Sequence, residues 1–202
     1  MFSGDCIRVV HPLFQEEGDG STPISPLQFH VGEISSALAV RLNEQWHSRL
    51  PTVIRGNIDR NTHSVCFGAE YANRFYAVAI WSSPVAGRLL TKGEHWLELR
   101  RFAIADDAPR NTASRLLSIM TKMIRRKYPE IVRLISYQDT EAHAGTIYKA
   151  AGWKAMHRVC DTNWGLRGGP HSRKRNPVNA PGVKVRWELI VRAAESTSPP
   201  HP

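Results

Sequence analysis

ADDAPRNTASRLLSIM, residues 105 to 120, decides how this chain is read. A charged turn closes on Pro109 and opens into an amphipathic segment, and the strand-like HWLELRRFAI stands just before it. A strand, a short loop and a helix in that order leave unpaired amides at the helix N-terminus, where the helix dipole also favours an anion. Arg110, Asn111, Thr112 and Ser114 add side-chain donors, yet the stretch contains no glycine to bring backbone close to a phosphate. An ordinary capped helix, with Asn111 or Thr112 as N-cap and a solvated arginine, is the plainer reading of the same residues.

Downstream, Leu116, Leu117, Met120, Met123 and Ile124 recur at helical spacing from Thr112 to Tyr128, and Pro129 ends the helix. IVRLISY follows as a short strand, HAGTIYKAAG as a short helix ending at Gly152, and WKAMHRVC and VKVRWELIV as two further strands. Upstream, a helix is expected from Glu33 to His47, stopped by Pro51. Two β-rich runs, Thr62 to Glu70 and Phe75 to Trp81, flank the turn signal Ala72-Asn73-Arg74 and read as a hairpin. The expected order is strand, helix, hairpin, strand, helix, strand, helix, strand, strand.

The ends and one loop differ in composition from this core. Residues 1–26 are a Gly-, Ser-, Pro- and acid-rich arm, residues 27–192 the folded domain, and residues 193–202 a tail expected to be disordered. Within the domain, residues 164–183 form a basic loop too long and too rich in Gly and Pro for a simple hairpin turn.

The 27 basic and 18 acidic residues leave a net charge of +9, which favours a polyanionic partner such as nucleic acid. Cys6, Cys66 and Cys160 are odd in number and widely spaced, so neither a disulfide framework nor a thiolate zinc site is suggested, and a reducing cytoplasm is expected. The sequence contains no apolar run of about 18 residues and no secretory leader pattern.

The element order, a central strand feeding a pyrophosphate loop and a later YxxxG[FW] helix, resembles the GNAT superfamily of N-acetyltransferases. That resemblance implies an α/β fold with a mixed, mostly antiparallel central sheet flanked by helices and splayed central strands. The superfamily's usual loop is [RQ]-x-x-G-x-[GA]; here it is RNTASR, with Ala113 for the first glycine and Arg115 for the last small residue. APRNTASR, taken with WHSRLP at 46–51, LRRFAI at 99–104, SYQDTEAHAGTIYKAAGW at 136–153 and KVRWEL at 184–189, is similar to the phage Mom family. Its members are GNAT-like enzymes that modify adenine in DNA.

The resemblance implies acetyl-CoA as cofactor. Its diphosphate would be held by Arg110, Asn111, Thr112, Ala113, Ser114 and Arg115, and its thioester would lie beside Arg101, Phe102, Ala103 and Ile104. Arginine pairs well with phosphate oxygens and can replace part of the missing backbone approach. Tyr148 matches the tyrosine that in many GNAT enzymes protonates the departing thiolate. Asp139 stands at a strand's carboxyl end, the usual ligand edge of such sheets. With His143 and His47 it is a candidate general base toward adenine N6.

The Mom product, a carbamoylmethyl group on N6, contains a nitrogen that acetyl-CoA lacks. The resemblance therefore suggests a redox metal such as iron, with His47, Asp139 and Tyr148 as the ligand set. Plainer readings are a capping aspartate, surface histidines and a packed tyrosine.

Adenine N6 is paired and stacked in double-stranded DNA, so the base must be extruded or already single-stranded. Arg167, Arg173, Lys174, Arg175, Lys184 and Arg186 are expected to contact phosphates, with Trp164 a candidate stacking residue. The whole reading is a DNA-modifying enzyme in a bacterial host's cytoplasm that shields phage or prophage DNA from restriction. A conventional N-acetyltransferase of a small-molecule or protein amine, and an inactive DNA-binding module, are the competing classes.

Overall fold

A computed structural model of the chain describes residues 22–46, 53–61, 63–84, 95–140, 143–160 and 183–192. In chain order the elements are β1 (His30–Glu33), α1 (Ser36–Trp46), α2 (Arg55–Asp59), β2 (Ser64–Tyr71), β3 (Arg74–Ser82) and β4 (His95–Ile104). They continue with α3 (Thr112–Lys127), β5 (Ile131–Asp139), α4 (Thr146–Ala150), β6 (Lys154–Cys160) and β7 (Val183–Ile190). The strands form one sheet in the order β1-β2-β3-β4-β5-β7-β6. Every pairing is antiparallel except β4 with β5, which α3 joins as a parallel crossover.

Local chemistry explains most boundaries. The β2–β3 hairpin turns on Ala72 and Asn73, both at positive φ (48° and 61°), the twist that a two-residue hairpin turn requires. Helix α1 begins at Ser36 rather than near Glu33. Residues His30 to Glu33 pair with β2, and the Ser35 hydroxyl then accepts the Leu38 amide as a cap. The short α2 was not expected from the sequence.

The sheet carries an apolar layer on each side. On one, Trp81, Leu97 and Leu134 pack with Leu117, Met120 and Ile124 of α3. On the other, Ala39 and Leu42 of α1 and Ile58 of α2 cover Cys66, Val78, Ile80 and Ala103. Alternation along the strands sends successive side chains to these two faces. Among the described residues no helix is long and apolar enough to cross a membrane.

Candidate active site

The centre of the sheet opens. β4 and β5 pair from His95↔Ile131 to Leu99↔Ser136 and then part. Beyond that point β4 runs on to Ile104 against β3 alone, and β5 runs on to Asp139 against β7 alone. A register shift in the β3–β4 ladder pairs Trp81 with Leu99 but Ile80 with Arg101, leaving Arg100 as an extra residue. Such a bulge bends its strand, which gives a local cause for the parting. Arg101, Phe102, Ala103 and Ile104 thus form one side of a wedge, and Tyr137, Gln138 and Asp139 the other. The Arg101 guanidinium is partly buried; desolvation pulls its pKa below the ordinary arginine value, as does neighbouring Arg100, while Glu98 opposes both.

The loop of residues 105–111 leads from the β4 side of this wedge into α3. Asn111 takes φ 67° and ψ 5°, the left-handed conformation, and makes no side-chain cap. Asparagine tolerates that region better than most residues, so it supplies the turn a glycine would otherwise make. Pro109 and Asn111 carbonyls draw in two hydroxyls: Thr112 Oγ1 donates to the first at 2.6 Å and Ser114 Oγ to the second at 3.1 Å. The hydroxyl donor of Ser114 is thereby engaged with the loop itself. The amides of Ala113 and Ser114, inside the first helical turn, have no intrahelical acceptor. Arg110 and Asn111 are exposed, and Arg115 is half-buried with its Nε lacking a partner. Asp107 pairs with Arg74 at 2.8 Å and ties the loop to the end of the hairpin.

Tyr148 sits beneath the opposite strand. Its phenol is 2.8 Å from Ser136 Oγ, the last β5 residue paired with β4. Its ring stacks on Trp187, with centroids 5.3 Å apart and planes 15° apart. Trp187 Nε1 donates to Gln138 Oε1 at 2.7 Å, and Gln138 Nε2 donates to the His143 carbonyl. Burial raises the Tyr148 pKa above its ordinary 10.0, and the Ser136 hydrogen bond works against that rise.

The candidate residues are distributed unevenly over this frame. Asp139 is three residues beyond Ser136 on β5, so strand alternation turns it to the face opposite Tyr148. There it lies across from Lys184, and Tyr137 across from Arg186. His143 is exposed, its amide bonded to the Asp139 carbonyl. The expected compact group is therefore divided: Asp139 and Tyr148 lie on opposite faces of the sheet, and His143 follows Asp139 at an exposed position. Asp139 and Tyr148 consequently do not fit as ligands of one metal ion. Among the described residues no three of His, Cys, Asp and Glu gather as a metal-binding group. His47, Trp164, Arg167, Arg173, Lys174 and Arg175 lie outside the described residues.

Sequence reasoning missed a polar ladder on the Asp139 face. Glu188, only 4% exposed, is held by Arg133 Nη1 at 2.9 Å and Arg186 Nη2 at 2.7 Å. Arg133 in turn lies 4.4 Å over the Trp96 ring. Arg186 hydrogen-bonds Tyr137, whose pKa rises through burial and then through nearby Glu98, with Arg186 opposing. Glu98, itself buried, is 3.4 Å from Arg100. The available signal was an acid inside each of two strongly apolar strands, WLEL and RWEL.

A parallel pair that opens at the middle of a mostly antiparallel sheet, beside a helix N-terminus free to meet an anion, defines an α/β protein of the GNAT acetyltransferase fold. Solved structures agree. The chain is similar to ribosomal-protein-alanine N-acetyltransferase from Brucella melitensis (TM-score 0.55, 13% identity, 79% of this chain and 98% of that one). It is also similar to a Bacillus subtilis acetyltransferase in complex with CoA (TM-score 0.54, 12% identity, 81% of this chain and 97% of that one). Residues 28–186 match the Mom protein family, and the chain belongs to it. A 75-residue stretch is 36% identical to the methylcarbamoylase Mom of Escherichia phage Mu, spanning 35% of this chain and 31% of that protein.

Proposed function

We propose that this chain is a DNA-modifying enzyme that uses acetyl-CoA to place a carbamoylmethyl group on adenine N6, protecting phage or prophage DNA from restriction. The observation that carries the reading is membership of the Mom family over a domain whose central strands part beside an anion-ready helix start. Acetyl-CoA would supply both carbons of that group. Because a carbamoylmethyl group also holds a nitrogen and joins N6 through the former methyl carbon, the overall reaction further requires an amine donor that displaces the thiolate and a two-electron oxidant.

The chain's own residues have separable tasks. The free amides of Ala113 and Ser114, with Arg110, Asn111 and Arg115, would hold the diphosphate; Thr112 positions the turn through its bond to Pro109. β4 backbone from Phe102 to Ile104, with Arg101 beside it, would orient the thioester in the wedge. Tyr148, neutral at physiological pH, would donate a proton to the departing thiolate, and Ser136 fixes the direction of its hydroxyl.

The target amine would enter from the other side, where Asp139 accepts its proton. His143 and His47 are the remaining candidates for that proton. Adenine N6 and the departing thiolate would thus be served from opposite faces of the sheet, N6 losing its proton to Asp139 as it bonds the former methyl carbon. Lys184 and Arg186 border the same face and, with Arg167, Arg173, Lys174 and Arg175, would contact the DNA backbone while Trp164 stacks on a base. Extruding the base costs a few kcal/mol, which such contacts offset.

The test is expression in a bacterial host, nuclease digestion of its DNA and mass spectrometry of the nucleosides. A carbamoylmethyl-deoxyadenosine peak is expected. Unmodified deoxyadenosine together with acetylation of added amines would instead identify a conventional N-acetyltransferase.

A further inference from the structure

The last turns of α3 and Arg192, two residues past β7, border an open cleft of about 470 Å³ lined by Lys122, Arg125, Arg126 and Arg192. Lys122, Arg125 and Arg126 are all exposed, and their i, i+3, i+4 spacing puts them on one helix face. The neighbouring Lys127 is engaged with Glu33. None of the four lining cations pairs with a carboxylate among the described residues. Arg192 donates to the Arg125 carbonyl, yet its Nε is buried without a partner.

Complementing the helix dipole accounts for cations in the last turn. It does not account for Lys122 a turn earlier, nor for an arginine brought to the same cleft from another element. Four like charges sharing one cleft repel, and a multiply charged anion relieves that repulsion. The cleft also lies at the far end of the sheet from the wedge. Val191 and Arg192 amides bond Val132 near the start of β5, whereas Asp139 and Lys184 mark its other end. Measured along α3, Lys122 to Arg126 stand roughly 15 to 21 Å from Thr112, at about 1.5 Å per residue. Duplex DNA carries a charge about every 1.7 Å of its axis, so a backbone crossing that span offers several phosphates.

We infer that this cleft is a second DNA-backbone contact, remote from the chemistry, that grips phosphates of duplex away from the target base. The choice of DNA as occupant rests on the reading of the chain as a DNA modifier. Phosphate contacts carry affinity and register without sequence information, so the cleft would strengthen binding to any sequence.

The full chain and its K122Q/R125Q/R126Q variant are compared by anisotropy of a labelled duplex of about 30 base pairs across a salt series. Each neutralised phosphate contact contributes about 0.9 to the slope of log affinity against log salt, so the variant's slope should be shallower by about 3. Acetyl-CoA binding by calorimetry should be unchanged. A wild-type slope in the folded variant overturns the inference. If the triple variant does not fold, Lys122→Gln alone decides, with a slope shallower by about 1 expected and no change overturning it. Unmodified adenine with a reduced slope would sink the enzymatic reading and leave the cleft standing. Modified adenine with an unaltered slope would do the reverse.

Discussion

The Tyr148 phenol and the Ser136 hydroxyl meet at 2.8 Å at the point where β4 and β5 cease to pair. Helix α4 and the sheet are thus joined at the apex of the wedge. Tyr148→Phe removes the proposed proton donor but keeps the ring stacked on Trp187. A general acid contributes about 10²–10⁴-fold, so turnover should fall at least about 100-fold while acetyl-CoA affinity holds. Stability should drop by only about 1 kcal/mol, the net value of one hydrogen bond. Equal losses of turnover and cofactor affinity would make the tyrosine a packing residue.

The same pair should set an alkaline limit. Burial raises the Tyr148 pKa, so the folded state holds this proton more tightly than the unfolded chain does. Its contribution to stability is fully present below the ordinary 10.0 and is lost as pH rises through the higher folded value. Proton donation should follow the same course, with activity declining only in that alkaline range. Ser136→Ala removes the interaction that lowers the pKa, so the alkaline limb of its rate profile should move to higher pH. A limb that stays in place would separate this phenol from the rate.

Gly145 holds α4 in place at φ 72°, and a Cβ there would lie 2.5 Å from Gln138 Oε1 and 2.8 Å from the Trp187 ring. Gly145→Ala therefore combines a left-handed backbone penalty with overpacking, together about 2–4 kcal/mol. Urea unfolding should show that loss, and Gly152→Ala makes the contrast. Gly152 has φ 80°, but nothing lies within 4 Å of its added Cβ, so its cost should be the smaller, about 1–2 kcal/mol. Equal costs would mean that the Gln138 and Trp187 contacts yield freely.

Much of this architecture was legible in the chain because it is local. The hairpin follows from Ala72-Asn73-Arg74, and α3 from its apolar spacing and from Pro129, with observed bounds within a residue or two of those expected. The positions of Tyr148 on α4 and of RNTASR at the start of α3 were legible through their motifs. What depends on pairing between distant segments was legible only through the family resemblance, which implied splayed central strands, or not at all. No residue of β4 announces that its bond to β5 ends at Leu99, and nothing in VRLIS and VRWEL says that Arg133 and Glu188 will be neighbours. The left-handed turn at Asn111 was hidden for another reason: glycine is the usual sign of such a turn, and asparagine reaches the same backbone region.

That turn gives a paired comparison. Asn111→Gly preserves access to φ 67°, so acetyl-CoA should bind the variant within about threefold of wild type. Asn111→Val meets a left-handed penalty of at least about 1–2 kcal/mol. The loop would relax, and affinity should weaken about tenfold, the equivalent of 1.4 kcal/mol. Calorimetry with acetyl-CoA distinguishes the two. If glycine and valine bind alike, the loop's backbone conformation is irrelevant to the cofactor and its side chains alone hold the diphosphate.

The Arg133–Glu188–Arg186 ladder separates electrostatic support from the chemistry. Glu188 is 4% exposed and bridges both guanidiniums, so Glu188→Ala leaves two partly buried cations without their shared carboxylate. Breaking a buried pair in this way costs about 3–5 kcal/mol. Replacing Arg133 as well, by methionine, removes one stranded charge and keeps apolar contact with Trp96. The double variant should therefore recover part of the loss, a coupling visible in a double-mutant cycle by urea unfolding. Arg186, released from Glu188 in both variants, still hydrogen-bonds Tyr137, so the mouth of the wedge should keep its shape and acetyl-CoA affinity should change little. Strictly additive losses would mean that Arg133 and Glu188 support the sheet independently. A parallel collapse of cofactor binding would place the ladder inside the acetyl-CoA site.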